Sequence, residues 1–196
     1  MKTYYLAALC CALALTACGE GPSAPAPSAS DETPALVTLA ERGDLPALDA
    51  LLSSGNPPDV VDSCQWTPLM KAAQNGHFAT ARRLLDAGAD PDASDKGGYT
   101  ALMFAASNGH AQVTALLLER GADPDQREAS MGWTALIWAA KEGRADAVRT
   151  LLGSGADPSL RDFDGRTAAD WARERGDDAV LSLLVKDSLA AAPAGA

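Results

Sequence analysis

The stretch from Asp95 to Arg127, DKGGYTALMFAASNGHAQVTALLLERGADPDQR, is copied along this chain, and that repetition limits the fold more than any other feature. Upstream, Asp62 to Ser94 reads DSCQWTPLMKAAQNGHFATARRLLDAGADPDAS; downstream, Gly132 to Arg161 reads GWTALIWAAKEGRADAVRTLLGSGADPSLR. Asp162 to Val185, DFDGRTAADWARERGDDAVLSLLV, keeps the first part of the pattern. Gly43, Gly76, Gly109, Gly143 and Gly176 are spaced 33, 33, 34 and 33 residues apart. Thr67, Thr100, Thr134 and Thr167 follow at 33, 34 and 33, so the extra residue falls near Ser130–Met131, in a predicted turn. A fixed period of this length is the mark of stacked units that share one continuous core.

Each unit is predicted to be a helix pair. The four threonines are placed to cap a first helix, and Pro68 occupies the first helical position, where its missing N–H costs nothing. Ala72–Ala73, Ala105–Ala106 and Ala139–Ala140 keep that helix thin, so that neighbours approach closely. Gly76, Gly109 and Gly143 suit its C-terminal end, where φ turns positive. A second helix offers Leu84–Leu85, Leu117–Leu118 and Leu151–Leu152 to the core, and Gly88, Gly121 and Gly155 close it. Burying each leucine contributes roughly 1.5–3 kcal/mol.

The period together with Thr67-Pro68-Leu69-Met70-Lys71-Ala72-Ala73-Gln74-Asn75-Gly76-His77 and Leu117-Leu118-Glu119-Arg120-Gly121-Ala122-Asp123 resembles the ankyrin repeat. The resemblance implies an all-α solenoid of about five helix-turn-helix repeats with short projecting turns, over about 33–61, 62–94, 95–127, 128–161 and 162–188. It also implies protein binding through a concave groove built from the first helices and the turn tips. The position that is His in the family's T-P-L-H is Met70, Met103, Ile137 and Asp170 here, so the inter-repeat bonding attributed to that His is expected to give way to apolar contact.

The chain begins MKTYYLAALCCALALTAC, with Lys2, an apolar run from Leu6 to Leu15 and then small residues. This reads as a secretory signal over 1–17, too short for a membrane span. Leu15-Thr16-Ala17-Cys18 resembles a bacterial lipobox, which implies cleavage before Cys18, a diacylglycerol thioether on its sulfur and acylation of its new amine. Several acyl chains anchor stably where one is marginal. The alternative is an ordinary cut after Ala14 or Ala17 that releases the chain. Gly19 is no acidic retention signal, so the resemblance points to the outer membrane, facing the periplasm. Residues 18–32, rich in Pro, Ser and Ala, read as a linker with a full reach of roughly 45–50 Å.

The first repeat, with Leu36, Leu39, Ala40, Leu45, Leu48, Leu51 and Leu52, lacks the preceding turn, as suits a terminal cap. Residues 189–196 are expected to be a disordered tail. Within 196 residues the leader and five repeats leave no room for another domain. The formal charge of −10 argues against nucleic-acid binding and favours a basic partner surface, mainly through association rate. The domain is expected to be a monomer.

The candidate partner-binding residues fall at two repeat positions. Trp66, Tyr99, Trp133 and Arg166 precede the capping threonines; Lys71, Phe104, Trp138 and Trp171 follow them by four. Periodicity stacks these into two adjacent columns, and aromatics with Arg are the usual interface anchors. Trp66, Tyr99 and Trp133 are read as contact residues. Packing between repeats and partner contact weigh equally for Phe104, Trp138 and Trp171. Cys64, beside Trp66, would be a lone thiol in an oxidising compartment, where a redox role or a mixed disulfide is the rival reading. No residue pattern points to catalysis, a cofactor or a metal. His77 and His110 read as structural, and Asp90, Asp123 and Asp157 as bonding local backbone amides.

Overall fold

The computed structural model describes residues 34–190. The expected signal, Cys18, the linker and residues 191–196 lie outside them. Ten helices are present among the described residues, in five pairs: α1 (Ala35–Arg42) and α2 (Leu45–Ser53), α3 (Pro68–Gln74) and α4 (Phe78–Asp86), α5 (Ala101–Asn108) and α6 (Ala111–Glu119), α7 (Ala135–Lys141) and α8 (Ala145–Gly153), and α9 (Ala168–Arg175) and α10 (Asp178–Ala190). The odd-numbered helices pack each on the next in one row, and the even-numbered helices in another. α10 runs to Ala190, so the first two residues of the expected tail are helical.

The capping pattern holds in every repeat that carries a turn. The hydroxyls of Thr67, Thr100, Thr134 and Thr167 accept from the amides of Met70, Met103, Ile137 and Asp170. The alanine pairs of α3, α5 and α7 are fully buried, as are Leu84, Leu117 and Leu151, while Leu85, Leu118 and Leu152 pack on them from a half-buried position. Met70, Met103 and Ile137 are buried, as the loss of the family's His predicts. Asp170 instead caps its own helix, accepting from the amide and hydroxyl of Thr167.

Inter-repeat polar bonding is not lost but carried by other positions: the residue after the helix-ending glycine in three repeats and the one before it in the last. His77 Nε2 bonds the carbonyl of Glu41, and His110 Nε2 that of Gln74, each at 3.1 Å. Arg144 Nε donates to the Ser107 carbonyl at 2.9 Å, and Arg175 Nη1 to that of Lys141 at 3.1 Å. The helix-ending glycine of the repeat before makes room for this side chain. A Cβ on Gly76 would stand 2.6 Å from the His110 ring, and its φ of +72° disfavours any other residue.

A second set of bonds joins the loops after the second helices. Asp90, Asp123 and Asp157 each accept from an amide two residues on, at Asp92, Asp125 and Ser159. Their own amides donate to Asp59, Asp92 and Asp125 of the repeat before. Burial pushes the Asp59 carboxyl up against the bond from the Asp90 amide, whereas the Ser159 hydroxyl and amide hold Asp157 below the ordinary range.

Candidate functional site

The projecting turns are built on carboxylates, buried at Glu128 and Asp162 and half-buried at Asp62 and Asp95. One oxygen of Asp62 accepts from the amides of Cys64 and Trp66, one of Asp95 from Gly97 and Tyr99, and one of Asp162 from Asp164 and Arg166. These two bonds close the turn and seat its last residue beside the capping threonine. The third turn, which opens the fourth repeat, holds the inserted residue and uses Glu128 in place of Asp. Its longer side chain reaches the amides of Ser130, Met131 and Trp133 at 2.6, 2.7 and 3.0 Å. Backbone bonds then join turn to turn, from Lys96 to Cys64, Ala129 to Gly97 and Phe163 to Met131.

On this frame the candidate residues meet. The two expected columns interleave into one ladder of six rings. Trp66 lies 4.4 Å from Phe104, Phe104 5.9 Å from Tyr99, Tyr99 6.0 Å from Trp138, Trp138 4.6 Å from Trp133, and Trp133 5.1 Å from Trp171, centroid to centroid. Two of these contacts are edge-to-face, two tilted and one, Tyr99 on Phe104, stacked; edge-to-face and offset-stacked pairs are the favoured aromatic geometries. Trp66, Tyr99, Phe104, Trp138 and Trp171 are half-buried: each rests on the core and keeps an outer face.

Three cations sit on the ladder. Lys71 Nζ stands 4.4 Å from the Trp66 ring centre and 3.1 Å from Glu41. Lys141 Nζ lies 5.3, 5.7 and 5.9 Å from the rings of Trp133, Trp138 and Trp171 and pairs with Glu142. The Arg166 guanidinium stacks on Trp171 at 3.7 Å and pairs with Asp162, Asp164 and Glu174.

Trp133 departs from its expected exposure. Only 8 % of it is accessible, and its indole N–H donates to Asp162 Oδ2 at 3.1 Å. The indole of Trp171 donates to the same oxygen at 3.0 Å. Burial pushes the Asp162 carboxyl up, but the Arg166 amide, the two indoles and the Arg166 charge outweigh it and hold the group below the ordinary range. Glu128 follows the same pattern: burial raises it, while the Ser130 hydroxyl and the amides of Trp133, Ser130 and Met131 bring it down further.

Sequence reasoning missed both carboxylates as parts of the site. The recurrence of an acidic residue five or six places before each capping threonine, at Asp62, Asp95, Glu128 and Asp162, was the available signal. It also missed Phe163, 63 % exposed at the tip of the last turn. Cys64 is half-buried and forms no disulfide among the described residues. Shallow clefts between α2 and α4 (Leu45, Asp49, Arg83) and between α4 and α6 (Phe78, Leu116) involve none of the ladder residues. No helix among the described residues is long and apolar enough to cross a membrane.

A family model for ankyrin repeats, three copies in length, matches residues 36–128 and again 125–192. No curated protein matches the chain.

Proposed function

This chain belongs to the ankyrin-repeat family, and we propose that it holds a protein partner on the face that carries the Trp66–Trp171 ladder. Repeats of this family are generally protein-interaction modules and typically not enzymes. The observation that supports the reading is the ladder itself. Five half-buried rings with Lys71, Lys141 and Arg166 stacked on them span four repeats, on a frame locked by the turn carboxylates. Aromatic and cationic side chains held rigid before binding lose little entropy on contact.

In the same proposal the chain works at a bacterial envelope. Cys18 carries the lipid anchor after the signal over 1–17 is removed, residues 18–32 span from lipid to repeats, and the domain faces the periplasm from the outer membrane as a monomer. Asp59, Asp90, Asp92, Asp123, Asp125 and Asp157 follow one another along the loops after the second helices. Their field speeds the approach of a basic partner, while the ladder supplies the contact. Inhibition or immunity against an envelope enzyme or toxin, and adaptation of such an enzyme, are the two roles this surface fits.

The test is capture from envelope extract on the mature chain, beside a Trp66→Ala/Tyr99→Ala variant shown by circular dichroism to be folded. Those two residues are chosen because Trp133 is buried and its loss would confound folding with binding. One protein retained by the natural chain and lost by the variant supports the surface; equal retention places binding elsewhere. Mass spectrometry of the mature N-terminus tests the anchor, with an unmodified terminus overturning it.

A further inference from the structure

We infer that Asp162 is the positioning residue of the recognition face: through the indole N–H groups of Trp133 and Trp171 it sets the C-terminal half of the ladder without itself being open to a partner. The inference rests on the reading that this face is the recognition surface.

Three turns of the chain supply the comparison. Asp62, Asp95 and Asp162 use one oxygen in the same way, each accepting the amides two and four residues on. Only Asp162 gives its second oxygen to indoles, one from the repeat before and one from its own helix α9. The side chain is wholly out of solvent, so the bonds are not shared with water. A carboxylate bonded in this way holds its donors more tightly than a neutral acceptor would. Its charge is met from the same side by Arg166, whose Nε lies 3.5 Å from that oxygen and whose guanidinium covers Trp171. Lys141 lies over the two rings that the oxygen holds. One carboxylate oxygen thus holds both rings of the Trp133–Trp171 contact by which the last repeat joins the ladder, whereas the turn aspartates Asp62 and Asp95 hold Trp66 and Tyr99 by their backbone amides.

Asparagine separates the two duties of this side chain. Its oxygen can still accept the amides of Asp164 and Arg166, but its NH2 group faces two indole donors and can accept neither. The experiment compares Asp162→Asn with Asp95→Asn in the nitrogen-labelled full chain in detergent. It reads indole N–H exchange by NMR and retention of the protein captured by the natural chain. In Asp162→Asn the indole protons of Trp133 and Trp171 are expected to exchange about 10-fold faster or more, with Trp66 unchanged. Retention is expected to fall by a similar factor; Asp95→Asn should leave the exchange of both indole protons unchanged.

Indole spectra that are alike in the two variants overturn the inference. So do freed indoles with undiminished retention, and in that case loss of retention by Trp66→Ala/Tyr99→Ala still upholds the surface. Undiminished retention in all three variants overturns the surface as well. If Asp162→Asn fails to fold, Trp171→Phe keeps a ring on α9 and removes only the donor. It is expected to lower retention several-fold, and unchanged retention overturns the inference.

Discussion

The indole N–H of Trp133 lies 3.1 Å from Asp162 Oδ2, joining the fourth repeat to the fifth inside the core. Because this link needs an ionised carboxylate, the stability of the C-terminal end should depend on acid. Asp162, Glu128, Asp157 and Asp170 all sit below the ordinary carboxyl range when folded. A group whose pKa is depressed by folding lends stability above its unfolded pKa and loses it as pH falls through the folded value. Asp59, which is raised, acts in the opposite sense and is outnumbered. Urea midpoints are expected to hold steady from neutral pH to about pH 5 and to drop below about pH 4, where unfolded carboxyls begin to take protons. Hydrogen exchange should show α9 and α10 losing protection first. A midpoint flat to pH 3 by the same measurement, or α1 fraying before α9, would contradict this.

Leu117 is fully buried on α6 in the middle of the stack, with repeats on both sides. Leu117→Ala is expected to cost about 2–5 kcal/mol in urea denaturation, the transfer term plus the cavity left behind. Leu118, half-buried one residue on, should cost visibly less when changed in the same way. Equal losses at the two positions would argue against the packing described for α6.

What repeats in the sequence was legible; what depends on a single pairing was not. The threonine caps, alanine pairs, core leucines and closing glycines each recur at one period, so the whole five-pair stack could be counted from them. The two ladder positions were found in the same way. Their interleaving was hidden, because it depends on how far each turn leans over the neighbouring first helix, and no spacing encodes that. The burial of Trp133 was hidden because its cause, the second oxygen of Asp162, lies 29 residues away and has no counterpart at Asp62 or Asp95. The bonding of His77 and His110 was assigned to structure correctly, but the carbonyls they reach belong to the previous repeat.

His110 gives a test of that cross-repeat bond with a control supplied by the chain. Arg144 takes the corresponding place in the next repeat and reaches the corresponding carbonyl. His110→Arg should therefore change stability by less than about 0.5 kcal/mol, while His110→Ala should lose a typical net hydrogen bond, about 0.5–1.5 kcal/mol. Thermal or urea unfolding distinguishes them. If arginine were as costly as alanine, the bond to Gln74 would not be what this position contributes.

Glu128 and the inserted residue of the third turn should be coupled. The other turns run from an Asp to a corner of positive φ, at Gln65, Gly98 or Gly165, and reach the residue before the threonine in four steps; this one takes five. Glu128 spans the extra step, with one oxygen on Met131 and Trp133 and the other on Ser130. Glu128→Asp alone draws the carboxylate back by one methylene and leaves buried amides unpaired, at an expected cost of about 1–3 kcal/mol. Deleting Ser130 alone leaves a side chain too long for the shortened turn. The two changes together recreate the arrangement seen from Asp95 to Tyr99, so the double variant should be more stable than the sum of the single effects allows. A double-mutant cycle by urea unfolding measures this, and the coupling expected for groups in direct contact is about 0.5–3 kcal/mol. Additive effects would mean that the glutamate is not the compensation for the insertion, and that the longer repeat is accommodated by the backbone alone.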